Sequence, residues 1–90
     1  MKKIAIFAGT FDPIHNGHLA FADAVLETGI EKIWFLVEPR PRRKQGVKAL
    51  QHRQAMVDLA IADNPRLGSI VIDQPRFTVS ETLPILQARF

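Results

Sequence analysis

The 90-residue chain has no cysteine. Disulfides and thiolate-held metals are therefore excluded, and the usage fits a reducing compartment. No apolar stretch approaches the ~20 residues that span a bilayer, and the run behind Lys2-Lys3 is too short for the hydrophobic region of a signal peptide. The expectation is a cytoplasmic protein with no membrane partner. Internal repeats and low-complexity segments are absent as well. So is an aromatic platform interleaved with cations, the usual device for gripping single-stranded nucleic acid. What remains is a globular composition, 47% hydrophobic and 23% charged. Residues 1–90 read as a single domain with a thin core, since a chain of this size buries only roughly 60–65% of its unfolded surface.

The net charge of +3 is unevenly placed. Arg40, Arg42, Arg43, Lys44, Lys48 and Arg53 make up six of the twelve Lys and Arg residues and fall between positions 40 and 53. Such clustering points to a local anion site and against a nucleic-acid-binding face, which would spread its cations over a longer footprint.

Hydrophobic patterning alternates between two kinds of segment. Residues 3–8, with Ile4-Ala5-Ile6-Phe7-Ala8, form a near-continuous apolar run, as expected of a strand covered on both faces in a parallel sheet. Residues 18–28 place Leu19, Ala22, Val25 and Leu26 on one face of a helix, with Gly29 as its stop. Ile33-Trp34-Phe35-Leu36-Val37 reads as a second strand, and 38–48, with Pro39, Pro41 and Gly46, as an irregular loop. A helix follows over 50–62, stopped before Pro65. Ile70-Val71-Ile72 reads as a third strand. A last helix over about 79–88 is capped by Thr78 or Ser80, with Pro84 awkward outside a first turn. The fold class is α/β, a three-layer Rossmann-like parallel sheet supplied as a β-α-β-α-β-α half with strand order 3-2-1.

The richest chemistry lies in Gly9-Thr10-Phe11-Asp12-Pro13-Ile14-His15-Asn16-Gly17-His18-Leu19, between the first strand and the first helix. Backbone donors and the helix dipole make such a helix N-terminus a phosphate site. Gly9 permits close approach and unusual dihedrals at the strand's end, and Gly17 keeps the turn open beside the histidines. Thr10 offers a hydroxyl and a backbone N–H. His15 and His18, three residues apart, both face one anion if residue 15 precedes the helix and residue 18 lies in its first turn. Taken alone, two histidines at this spacing are ordinary on a surface helix. With Asp12 they under-fill a tetrahedral zinc shell. The strand, the Gly-Thr-Phe-Asp-Pro turn and the His-x-Gly-His pair carry the signal together.

These residues resemble the signature of the HxGH-motif nucleotidyltransferase superfamily, and within it the bacterial nicotinate-nucleotide adenylyltransferases. The resemblance continues through Val37-Glu38-Pro39 and Lys44, through His52-Arg53-Gln54-Ala55-Met56 with Leu59-Ala60-Ile61-Ala62-Asp63, and into Phe77-Thr78 with Thr82-Leu83. It implies a sheet of the nucleotidylyl transferase (HUP) type and adenylyl transfer from Mg2+-ATP to a phosphorylated acceptor. For the nicotinate branch, the implied step turns nicotinate mononucleotide into nicotinate adenine dinucleotide in NAD biosynthesis. The nearest alternatives are a pantetheine-phosphate adenylyltransferase or a cytidylyltransferase. A nucleotide-binding module without turnover stands beside them. By position, His15 and His18 are the implied catalytic pair. Gly9, Thr10, Phe11, His15, His18 and Lys44 would bind ATP and its phosphates, and Thr82 would meet the acceptor.

Some residues invite plainer readings. Trp34 belongs to the core. Arg53 pairs with Asp58 or Asp63, or lies on a polar helix face, in an architectural role. Asp12 caps a turn. The segment Phe77-Thr78-Val79-Ser80-Glu81-Thr82-Leu83 is one residue longer than the family's Tyr-Thr-x-x-Thr-Leu pattern. The family's second half has no counterpart here, which would leave residues 4–8 as an apolar edge. The 90 residues are accordingly expected to be the N-terminal part of a longer domain, or to have strand 4–8 covered by a second chain.

Overall fold

A computed structural model of the chain describes residues 3–38, 49–72 and 79–89, with the backbone alone for 79–83. The element order is β1 (Ile4–Gly9), α1 (Asn16–Leu26), β2 (Lys32–Val37), α2 (Leu50–Ile61), β3 (Leu67–Ile70) and α3 (Val79–Arg89). All three strands are parallel in the order β1-β2-β3. The expected half-sheet and its 3-2-1 order are therefore present.

Alternation along β2 assigns the layers, because successive side chains leave opposite faces of a strand. Ile33, Phe35 and Val37 join Ala22 and Leu26 of α1 and Val57 and Ile61 of α2 in one buried cluster. Leu36 joins Ile70, Ile72 and Leu86 of α3 in a second, with Trp34 packed against it. One face of the sheet thus carries α1 and α2, and the other carries α3. β2 is buried at four of its six positions, whereas all six residues of β1 are only half-buried.

β1 pairs with β2 alone among the described residues. Gly9 stands opposite Val37, and its carbonyl accepts the Glu38 N–H at 2.9 Å. In a parallel ladder the peptide groups of alternate residues then point the other way, so those of Ile6 and Ala8 face the open edge. Beside that edge a cleft of about 60 Å³ opens between β1 and α1, lined by Ala5, Phe7, Phe21, Ala22, Val25 and Ile33 among others. Phe21 is 59% exposed there.

Two expectations shift. The third strand lies at Leu67–Ile70, not at 70–72. Gly68 and Ser69 look like turn residues, but a Cβ at Gly68 would come within 2.6 Å of the Trp34 ring, so glycine is what lets β3 lie under the indole. The last helix begins at Val79, which puts Ser80 inside it and Pro84 beyond its first turn. Pro84 has no N–H to give to the carbonyl four residues back. Thr78 lies outside the described residues. Gly29 adopts φ 104°, as a helix stop should, three residues beyond the end of α1.

Candidate active site

In open α/β sheets, ligands bind beyond the carboxyl ends of the strands. Here that end holds the turn from β1 into α1. His15 is the N-cap of α1 and His18 sits in the first turn, as the spacing required. The two side chains cap the helix reciprocally: Gly17 N–H donates to His15 Nδ1 at 3.0 Å, and His15 N–H donates to His18 Nδ1 at 3.0 Å. An N-cap interaction of this kind contributes about 0.5–2 kcal/mol to a helix.

The caps also decide the chemistry of the rings. An Nδ1 that accepts a hydrogen bond carries no proton, so each neutral imidazole carries its proton on Nε2. Both histidines therefore present an Nε2–H donor at a helix N-terminus, where the dipole adds a positive partial charge. The rings stack with centroids 3.8 Å apart and an interplanar angle of 29°. Burial, and then the neighbouring His15, push the His18 pKa below the ordinary 6.5. Neutral His18 is the resting form at neutral pH.

Gly17 is constrained by the same geometry. A Cβ there would lie 2.9 Å from His15 Cε1, so any larger residue would push the ring off its cap. Phe11 is the floor of the site. It is 3% exposed, and its ring meets His18 edge-on at 5.0 Å, Phe7 at 5.2 Å and Phe35 at 5.4 Å. What Phe11 offers a ligand is its backbone. Its side chain is core and holds His18 from below. The unusual backbone falls on Phe11, at φ 51°, and not on Gly9 as expected. Gly9 instead makes room for the Phe11 ring, whose Cζ would lie 3.1 Å from a Cβ at that position.

Thr10 leads this turn, and Asp12 is half-buried within it. Lys44, with Arg40, Arg42 and Arg43, lies outside the described residues, as does the side chain of Thr82, whose backbone is in α3. The structure thus gathers Gly9, Thr10, Phe11, His15 and His18 at one end of the sheet. No group of three or more His, Asp or Glu side chains is placed to hold a metal among the described residues, and no described helix is long and apolar enough to cross a membrane.

Arg53 departs most from expectation. Far from lying on a polar helix face, it is 1% exposed, and its Nη1 donates to the carbonyls of Thr10 at 3.0 Å and Glu38 at 2.7 Å. Asp58, one of its expected partners, accepts from Ser69 Oγ at 2.7 Å and Gln54 Nε2 at 3.2 Å. The sequence signal of this arrangement is the spacing that puts Arg53 on the same helical face as Val57 and Ile61, the other buried residues of α2. Trp34 is half-buried against the second core cluster, with the Lys32 ammonium 4.6 Å from its ring.

A family model described as Cytidylyltransferase-like matches residues 6–83. The chain belongs to that family. Within it, the chain is 47% identical over 91 residues to a probable nicotinate-nucleotide adenylyltransferase of Symbiobacterium thermophilum, covering 98% of this chain and 44% of the relative. It is 41% identical over 96 residues to the nicotinate-nucleotide adenylyltransferase of Bacillus subtilis, covering 100% of this chain and 51% of the relative. The chain therefore spans about half the length of the curated relatives it matches. A solved structure titled Plasmodium falciparum nicotinic acid mononucleotide adenylyltransferase complexed with NaAD superposes with a TM-score of 0.82 at 20% identity, over 99% of this chain and 47% of that one. This likeness establishes the fold.

Proposed function

We propose that the protein transfers the adenylyl group of Mg2+-ATP to the 5′-phosphate of nicotinate mononucleotide, forming nicotinate adenine dinucleotide and pyrophosphate for NAD biosynthesis in the cytoplasm. A phosphate oxygen of the mononucleotide attacks the α-phosphorus, and the bond from that phosphorus to the bridging oxygen breaks as pyrophosphate leaves. The nucleophile is already anionic, so neither a covalent intermediate nor a general base is required. Catalysis then consists of in-line positioning and of neutralising charge on the α-phosphate and the leaving group.

The observation that carries this reading is the pair of capped histidines. Their backbone-fixed Nε2–H groups are donors set before substrate arrives, so they need no reorganisation as charge develops. In this mechanism His18 serves the α-phosphate, and His15 and Thr10 hold the phosphates beside it. The backbone of Gly9 and Phe11 borders the nucleotide, Lys44 reaches the phosphates from the loop over 38–48, and Thr82 meets the acceptor. Magnesium enters as part of the nucleotide, since it is commonly bound through substrate phosphates without an all-protein cage.

Residues 1–90 act in this reading as the N-terminal part of a longer nucleotidyltransferase domain. Relatives roughly twice as long as the matched region, the outward peptide groups of β1 and the apolar cleft beside Phe21 support it. The rest of that domain, or a second chain, would cover the edge. The breadth of the family favours one second reading, transfer of a cytidylyl group to another phosphorylated acceptor.

One assay separates the two. The full gene product is given ATP or CTP with nicotinate mononucleotide, phosphopantetheine or glycerol 3-phosphate, and pyrophosphate is followed. Release with ATP and nicotinate mononucleotide is expected, and release confined to CTP would replace the first reading by the second.

A further inference from the structure

Arg53 is an expensive residue in its place. It lies in the first turn of α2, where the helix dipole disfavours a cation, and its guanidinium is removed from water. An aliphatic side chain of similar volume would fill the space without that cost. Its two carbonyl partners lie just beyond the carboxyl ends of β1 and β2, one of them where the histidine turn begins. They belong to Thr10 and Glu38.

The bond to Thr10 also orients the next peptide group. Asp12–Pro13 is the one cis peptide among the described residues, so the Thr10–Phe11 peptide is trans and its N–H points opposite to its carbonyl. With the carbonyl turned inward to the guanidinium, the Phe11 N–H is turned away from it. That N–H meets no acceptor among the described residues. The Phe11 backbone sits at φ 51°, a conformation that is unfavourable for a bulky residue and persists only where its surroundings over-determine it. The guanidinium on one side and the aromatic cluster around the Phe11 ring on the other supply that determination.

We propose that Arg53 is a positioning residue for nucleotide binding. By clamping the Thr10 and Glu38 carbonyls it holds the Thr10–Phe11 peptide with its N–H toward the phosphates and ties the carboxyl end of β2 to the histidine turn. The proposal rests on the reading of that turn as a phosphate site.

The test compares the full gene product with its Arg53→Lys and Arg53→Met variants, measuring kcat and the KM for ATP per folded molecule, melting temperature, and the Phe11 amide resonance without substrate. Lysine keeps the charge, but its ammonium sits on a flexible stem and does not reproduce the planar guanidinium that sets the direction of the two Nη1 bonds. The expected result for Arg53→Lys is a KM for ATP raised roughly tenfold or more, as for a misplaced binding group, with a KM for the acceptor that moves far less. Its Phe11 amide should shift while the amides of β3 do not. Arg53→Met should show the larger loss if it folds, and Arg53→Lys carries the test if it does not. A lowered melting temperature with an unchanged KM for ATP and an unmoved Phe11 amide would reduce Arg53 to a structural role and overturn the proposal. Wild-type enzyme inactive with ATP and every acceptor would count against the functional reading, and the amide shift then decides the clamping claim by itself.

Discussion

Two arginines stand at opposite ends of one sheet and both hold carbonyl groups, yet they do so in different company. At the amino ends of the strands, Arg66 donates to Ile30 at 2.7 Å, to Leu26 at 3.2 Å and to Glu31 at 3.3 Å, closing the last turn of α1. Its own N–H is taken by Asn64 and the nearby Lys32 by Pro65, so polar groups there are spent on one another. At the carboxyl ends, Arg53 holds a turn that contains a left-handed phenylalanine, two histidines whose Nε2–H groups take no part in the caps, and a Phe11 amide that meets no acceptor among the described residues. Among the described residues, unused donors and a left-handed non-glycine backbone coincide at the carboxyl ends, which is the end where we propose that the nucleotide binds.

Substitutions put that contrast to the test. Phe35→Ala should cost most, about 3–5 kcal/mol of stability by denaturant unfolding, because the fully buried ring supports Phe7 and Phe11 alike. A variant this damaged would lose both ends together. Gly17→Ala should cost roughly 1–3 kcal/mol, the usual penalty of forced overpacking, and should weaken ATP binding measured by calorimetry, because the new Cβ displaces the His15 ring. Arg66→Ala should lower stability by about 1.5 kcal/mol, in the range for hydrogen bonds to a charged group, and leave the KM for ATP where it was. An Arg66 variant with impaired ATP binding would erase the distinction between the two ends.

Acid gives the smallest effect. The folded His18 resists protonation while the unfolded chain takes up its proton near 6.5, so this contribution to stability is complete above that pH. It declines as pH falls through 6.5 and toward the depressed folded value. Protonation also fills Nδ1 and so expels the His15 N–H from its cap. Thermal melts between pH 8 and 5 should therefore show a loss that His18→Gln lacks.

Element order and strand order were legible because β1 and β2 are apolar runs and the helices carry a 3.6-residue period. β3 is misplaced from the sequence because Gly68 and Ser69 carry turn chemistry locally, and only their pairing with Trp34 and Phe35 of β2, with the indole close over Gly68, makes a strand of them. The histidine pair was visible through spacing. Their tautomers were not, because they depend on which backbone N–H each Nδ1 meets. Arg53 was legible as architectural but not in its partners. Both carbonyls are backbone atoms brought to it by the fold, one of them from 43 residues away, and no side-chain pattern records them.

In the proposed reaction the capped histidines stabilise charge during nucleotidyl transfer. Single-turnover pyrophosphate release by the full gene product at saturating ATP and acceptor tests it in wild type and His18→Ala. The expected result is a rate lower by about 10²–10³-fold, the loss usual for a preorganised donor to a developing oxyanion, with ATP still bound. A His18→Ala enzyme that turns over at the wild-type rate would contradict it.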